Sequence, residues 1–67
     1  MKTDIATFLN HYKKTFTNSG LEKVTGLSQQ QIKLYSTGNH KPSVEELKKI
    51  ETNLHNFGKE LLAVNIG

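Results

Sequence analysis

Residues 26–32 read Gly-Leu-Ser-Gln-Gln-Gln-Ile, and this stretch predicts a tight turn that leads directly into a short helix. Glycine takes positive φ angles without strain, so Gly26 can end one helix and open the turn. Leu27 is the apolar side chain in the bend. Ser28 is a strong N-cap residue and Gln31 lies three positions later, so the two have the pattern of a capping box. The stretch therefore separates two short helices.

The flanking residues predict these two helices over about 18–25 and 29–36. Thr17 or Ser19 can cap the first helix, and Gly38 favours a left-handed end to the second. Two short helices joined by about three or four residues with a glycine are the signature of a helix-turn-helix. Apolar residues on both helices are expected to point towards a common core, namely Leu21, Val24, Ile32 and Tyr35.

An amphipathic pattern precedes this pair and predicts a first helix over 4–15. Thr3 or Asp4 can cap its start, and the negative charge of Asp4 suits the positive end of the helix dipole. The apolar face of this helix consists of Ile5, Phe8, Leu9, Tyr12 and Phe16.

A fourth helix is predicted to begin after Ser43, which can act as its N-cap with Glu46 three residues later. Its pattern runs to about 55–57. One stripe of this helix is apolar and is expected to face the core; it consists of Val44, Leu47, Ile50 and Leu54.

The last residues, 58–67, are more apolar than a free terminus and carry two competing patterns. Alternation at every second position favours a strand, whereas the spacing of four between Phe57 and Leu61 favours a short helix. Gly58 favours a break, so we expect an extended tail. Such a tail is expected to pack on the domain or on a second copy of it, and the dimer contacts would then be the alternating residues Leu62, Val64 and Ile66.

Length and composition indicate one small domain, residues 1–67, without cysteine to cross-link it. No apolar run approaches the roughly 20 residues that span a bilayer, and we expect a cytoplasmic protein. All nine basic residues are lysines, and the formal net charge is +3. Residues 23–44 contain lysines but no acid, so this part of the surface is expected to be basic.

These residues together resemble the helix-turn-helix domain of phage repressors and Cro proteins, the XRE-like family. The resemblance covers about half of the chain and keeps the family's spacing at Leu21, Gly26, Leu27, Ser28, Ile32, Tyr35, Gly38, Pro42, Leu47, Ile50 and Leu54. One departure is Glu22, where the family usually has alanine at a close helix contact. The resemblance implies an all-α fold, a compact four- to five-helix lambda-repressor-like bundle with its helix-turn-helix over about 18–36.

In such a domain the second helix of the pair lies in the major groove of DNA, and its first side chains meet base edges. The resemblance therefore implies sequence-specific binding of double-stranded DNA, with base contacts from Gln29, Gln30, Lys33 and Ser28. Glutamine can pair with N6 and N7 of adenine, and without arginine we expect a preference that leans towards A·T pairs. Gln31 is assigned to the capping box rather than to the bases.

Phosphate contacts are expected from side chains that flank the recognition helix, namely Asn18, Thr37, Asn39, His40 and Lys41. The implied function is that of a phage or bacterial transcriptional regulator, a repressor associated with the nucleoid through DNA binding. We expect a homodimer, because two heads on a two-fold site add affinity. No cofactor, metal, membrane or small-molecule substrate is expected.

The sequence also bears on two other functions. Catalysis is not expected, because His11, His40 and His55 fall on different elements without metal-ligand spacing, and no catalytic triad or carboxylate pair is apparent. The alternative to DNA binding is a protein-interaction module. Such a module would use the same fold, through its third helix or its apolar tail, with weak or no DNA binding.

Overall fold

The predicted turn joins two helices of equal length. The computed structural model describes residues 3–67; Met1 and Lys2, which the predicted domain includes, lie outside them. Helix α2 spans Asn18–Thr25 and helix α3 spans Gln29–Ser36, as the sequence predicts. Thr17 caps α2 by accepting a hydrogen bond from the Gly20 amide at 3.0 Å.

A complete capping box starts α3. The Ser28 hydroxyl oxygen accepts a hydrogen bond from the Gln31 amide at 3.2 Å, and Gln31 Oε1 accepts one from the Ser28 amide at 3.0 Å. Gly26 adopts the left-handed conformation with φ 77°, and Gly38 does so after α3 with φ 82°. The local signals in the sequence therefore gave the right turn and the right helix bounds.

Helix α1 spans Ile5–Tyr12, and its predicted end at residue 15 was too late. Asp4 is the N-cap, because its carboxylate accepts a hydrogen bond from the Thr7 amide at 3.3 Å. At the other end, the amides of Thr15 and Phe16 both donate to the Tyr12 carbonyl, which closes the helix in a turn. The chain reverses there to reach α2, and this reversal is what shortens the helix.

Helix α4 spans Val44–Leu62 and is much longer than predicted. The predicted end at 55–57 and the extended tail from residue 58 were wrong, because the helix continues through Gly58. A helical glycine costs only about 1 kcal/mol relative to alanine, and each further residue adds a backbone hydrogen bond. After α4 and the turn at Ala63, residues 64–67 lack regular structure. Within residues 3–67, none of the helices is both long and apolar enough to cross a bilayer.

The core lies among the four helices. Helix α1 packs on α3, and α2 packs on both α3 and α4. The fold is all-helical over residues 3–67, as expected. Half-buried aromatic and aliphatic side chains from α1 and α4 surround a set of buried ones, namely Ile5, Leu9, Leu21, Val24, Leu27, Ile32, Tyr35 and Ile50.

Two parts of the predicted apolar surface do not reach this core. Val44 and Leu47, at the start of α4, are exposed. The tail residues are exposed as well, so of the two expected alternatives, packing on their own domain is excluded and packing on a second copy stays a prediction. Periodicity identified the apolar stripe of α4 but could not tell which part of it is covered.

The turn between α2 and α3 is also held from α4. Asn53 Nδ2 donates a hydrogen bond to the Thr25 carbonyl at 3.0 Å. The same nitrogen lies only 2.5 Å from the point where a Cβ on Gly26 would be placed. Thr25 is buried beneath, where its hydroxyl donates to the Leu21 carbonyl and accepts from the Leu27 amide. A glycine is therefore required at position 26 for two independent reasons.

Replacing Gly26 with alanine should lower the free energy of unfolding by roughly 1–3 kcal/mol, because it adds a strained φ angle and a contact with Asn53. The matched change is Gly58→Ala, since a Cβ at Gly58 meets nothing within 4 Å. That change should raise the free energy of unfolding by about 0.5–1 kcal/mol. Urea denaturation of both variants and of the wild type measures the two effects. Equal stability of the Gly26→Ala variant and the wild type would contradict the left-handed turn.

Candidate nucleic-acid interface

Helix α3 presents one polar face to solvent and one apolar face to the core. Ile32 and Tyr35 are buried, whereas Gln29, Gln30 and Lys33 are exposed. The two glutamines occupy the first turn of the helix, directly after the Ser28 cap. The sequence-predicted base contacts therefore form the accessible start of one short, well-anchored helix.

This face borders a shallow groove between α1, α2 and α3, which we call the α1–α3 groove. Its floor is apolar, formed by Leu9, Leu21 and Ile32. Its rim is polar and consists of Asn10, Lys13, Asn18, Gln29, Gln30, Lys33 and Ser36. None of these lining residues, all within the described chain, carries a carboxylate. The fold thus brings Asn18 together with three of the four predicted base contacts in a basic and amide-rich site.

The remaining predicted phosphate contacts lie elsewhere. Asn39, His40 and Lys41 are exposed in the loop after α3 and do not line the α1–α3 groove. Thr37 is exposed too, but its hydroxyl donates to the Leu34 carbonyl at 2.7 Å and accepts from the Asn39 amide at 3.2 Å. The proton of this hydroxyl is therefore used to shape the loop.

Two groove residues were not predicted from the sequence. Lys13 was not predicted to contact DNA, yet its side chain lines the groove. Asn10 was not assigned at all; its Nδ2 donates to the carbonyls of Ala6 and Ser36, both at 2.9 Å, and so ties α1 to the end of α3. Asn10 lies on α1 and Lys13 directly follows this helix, but only the packing of α1 on α3 shows that both face the groove.

The side of α3 that faces α4 is held by one carboxylate. Glu46 Oε1 accepts a hydrogen bond from Gln31 Nε2 at 3.1 Å, and Glu46 Oε2 accepts one from the Tyr35 hydroxyl at 3.2 Å. Ser43 caps α4 as predicted, accepting from the Glu46 amide at 3.2 Å. The Glu46 side chain, however, reaches across to α3 instead of back to Ser43. Gln31, which also closes the capping box, is therefore a structural residue, as assigned.

Burial and the contact with Glu46 make the phenol of Tyr35 a weaker acid than usual. Its burial, followed by the negative charge of Glu46 and the hydrogen bond to it, raises the pKa of Tyr35 above the usual value for tyrosine. The neutral phenol is the form that can donate to Glu46. Ionisation would put two negative charges side by side and break the contact.

The predicted dimer residues lie far along the chain from this interface. Leu62 ends α4, and Val64 and Ile66 follow it; all three are exposed. Leu34, on α3, is exposed too, so part of α3 is apolar on its outer side. Within residues 3–67, no cluster of three or more histidine, cysteine or acidic side chains could hold a metal ion.

Comparison with known proteins provides no relative for this chain. No protein-family model, curated protein or solved structure matches it. The fold and the chemistry of the α3 face are therefore the basis for a proposed function.

The hydrogen bond from Tyr35 to Glu46 predicts a loss of stability at high pH. A raised folded-state pKa stabilises the protein fully below the unfolded tyrosine pKa of about 10, and this contribution is lost as the pH rises through the higher folded value. The free energy of unfolding, measured by urea denaturation from neutral pH to beyond this range, should fall in the wild type. Tyr35→Phe should be less stable at neutral pH and fall less steeply.

Tyr12→Phe is the matched control, because it removes the only other tyrosine and leaves the contact with Glu46 intact. It should keep the wild-type decline. If Tyr35→Phe and Tyr12→Phe decline equally, the Tyr35–Glu46 contact does not form as described.

Proposed function

We propose that this protein binds double-stranded DNA in a sequence-specific manner and acts as a transcriptional regulator. In this proposal α2, the turn and α3 form a helix-turn-helix of the phage repressor and Cro type, within a lambda-repressor-like domain. Helix α3 enters the major groove, and its first turn meets the base edges.

The observation that carries the proposal is the composition of the α3 face and its groove. Gln29, Gln30 and Lys33 are exposed on a helix whose other sides are fixed by the core and by Glu46. Recognition of bases requires side chains held in a defined geometry, and such anchoring provides it. The absence of carboxylates among the groove-lining residues of the described chain avoids repulsion of the phosphates.

Specificity would come from the two glutamines. A glutamine amide can donate to N7 and accept from N6 of one adenine, and each such pair discriminates by about 1–3 kcal/mol. Lys33, one turn further along α3, can reach a guanine or a phosphate. The chain lacks arginine, whose bidentate contact with guanine is the commonest specific one, so we propose a site rich in A·T pairs.

Affinity would come from the DNA backbone on both sides of α3. Asn18 lies at the start of α2, where the first backbone N–H groups have no partner within the helix and can bind a phosphate. Lys13 adds a positive charge on the same side. On the other side, Asn39 and Lys41 are exposed in the loop after α3. The chain thus offers phosphate contacts at both ends of its recognition helix.

In a cell, such a domain would act by occupying a promoter and blocking access to it. This is the activity of a small repressor in the cytoplasm, located at the nucleoid through its DNA. Blocking a promoter in this way requires no catalysis and no cofactor. It requires only a higher affinity for one DNA site than for the many competing DNA sites.

A second candidate is a protein-interaction module, which the exposed apolar residues favour. Leu34 on α3 and Val44 and Leu47 on α4 are exposed, and all three belong to the half of the chain that carries α3. A partner protein could bury them without any contact from the glutamines. The two candidates therefore differ in which side chains of α3 and α4 carry the binding energy.

Selection of bound duplexes from a random-sequence pool tests the proposal. We expect enrichment of a short site that contains A·T pairs, read over the few bases that one helical turn can contact. Binding without enrichment of any sequence would contradict sequence-specific recognition, and the protein-interaction module would then be favoured.

Changing Gln29 and Gln30 together to alanine should abolish the preference for the selected site. Loss of one bidentate contact removes about 1–3 kcal/mol of discrimination, so the affinity for this site should fall towards that for random duplex. Fluorescence anisotropy with both duplexes measures this. The control changes Thr52 and Asn56 to alanine, two exposed polar residues of α4, and should leave both affinities unchanged. If the two double variants behave alike, α3 does not read the bases.

A further inference from the structure

The α1–α3 groove has the size of a site for a small molecule. Its volume is about 440 Å³, and sites for small ligands have volumes of roughly 300–1,000 Å³. Its floor residues Leu9, Leu21 and Ile32 come from three different helices and are buried in the core. Because the core holds all three side chains in place, the floor cannot close over the space above it. The groove is therefore a preformed space rather than one that a ligand must open.

The charges around this groove are of one sign. Lys13 and Lys33 both line it, and no carboxylate lies among the lining residues in the part of the chain that the structure describes. Cations that converge on a concave surface without a counter-charge concentrate anions there. Asn18, Gln29 and Gln30 add side-chain amides to the rim, and these can donate hydrogen bonds to an anion. The rim is thus suited to an anionic group.

The apolar floor favours a ligand that also has an apolar part. A phosphate group is polar on all sides, so it can pair with the lysines but gains nothing from the floor. An apolar chain gains affinity when it leaves water, by about fourfold for each methylene group that is buried. The methylene stems of Lys13 and Lys33 can cover such a chain while their ammonium groups stay at the rim. The groove is therefore complementary to a molecule with one anionic end and one apolar body.

We propose that the α1–α3 groove binds a small amphipathic carboxylate, with its carboxylate group between Lys13 and Lys33 and its apolar chain on the floor. An ionised carboxylate only accepts hydrogen bonds, and ammonium and amide groups at the rim are donors that match it. This site requires neither DNA nor a second copy of the chain.

Such a ligand would compete with DNA for one face of the protein. Gln29, Gln30 and Lys33 line the groove and are also the proposed base contacts. A carboxylate held by Lys33 neutralises a positive charge on this face and engages a side chain that the bases need. The ligand would therefore release the protein from its DNA site. This regulation rests on the proposed function, whereas binding of the carboxylate does not.

Titration of the isotope-labelled full chain with hexanoate, without DNA, tests the site by nuclear magnetic resonance. Hexanoate should shift the amide signals of Leu9, Leu21 and Ile32, and the shifts should saturate. Butanoate, which has two methylene groups fewer, should bind about 15-fold more weakly. Hexanol, which lacks the charge, should bind about tenfold more weakly than hexanoate.

A pair of double variants tests which lysines hold the carboxylate. Lys13→Gln combined with Lys33→Gln should weaken hexanoate binding by about tenfold, because it removes both cations. The matched control combines Lys14→Gln with Lys23→Gln, two exposed lysines that do not line the groove. The control removes the same net charge and should alter binding by less than about twofold, since salt screens distant charges. Circular dichroism checks that both double variants keep their helices.

Fluorescence anisotropy with the selected duplex tests the competition. Hexanoate should displace the duplex over the range of concentrations in which it shifts the amide signals. Acetate at the same ionic strength is the control, because it has the charge without the apolar chain, and it should displace much less. Equal displacement by the two anions would mean that ionic strength alone releases the DNA, and it would overturn the regulation.

The other outcomes also decide the proposal. A chain that does not bind hexanoate, or that binds butanoate or hexanol as tightly, has no site for an amphipathic carboxylate in this groove. Equal loss in the two double variants would mean that net charge, and not the groove, attracts the anion. Hexanoate that binds without displacing a bound duplex would reject the competition. A chain that binds hexanoate but no DNA would support the site and reject the proposed function alone.

Discussion

The amide of Asn53 donates a hydrogen bond to the Thr25 carbonyl, and this contact from α4 fixes the turn from which α3 starts. The turn has no room for a side chain at Gly26, and its φ angle suits glycine in any case. Once the turn is fixed, the capping box defines the first residue of α3 and the buried Ile32 and Tyr35 define its rotation. Three features therefore set the direction in which Gln29 and Gln30 point: the turn, the capping box and the buried side chains. None of these features belongs to the exposed face.

The two supports of α3 differ in their physical nature. Helix α1 covers it with apolar contacts and with the Asn10 amide, whereas α4 holds it through the hydrogen bonds of Glu46. Apolar packing alone tolerates small rotations of a helix, but hydrogen bonds with defined geometry do not. A short helix of eight residues, which would not be stable on its own, thus acquires a single orientation. That orientation is what a base-reading helix needs.

The parts of the fold that could be predicted are those decided by neighbouring residues. Ser28 with Gln31, Thr17, Gly26 and Gly38 act within one turn of the chain, and their signals were right. The end of α4 could not be predicted, because the penalty of Gly58 is smaller than the gain from continuing the helix. The exposure of Val44, the position of Lys13 on the groove and the use of Glu46 by α3 all depend on how separate helices pack. The candidate base contacts were predictable only as a helix face, and their neighbours across the groove were not.

The partners of Glu46 are a neutral amide and a neutral phenol, and those of Asn53 and Asn10 are backbone carbonyls. Counterions screen the attraction between separate charges, over a distance of about 10 Å at 0.1 M ionic strength, but they have little effect on such short contacts. The attraction of Lys13 and Lys33 for a polyanion, by contrast, falls steeply as counterions compete. Raising the ionic strength should therefore detach a bound polyanion from a protein that is still fully folded. The surface can lose its ligand without losing its shape.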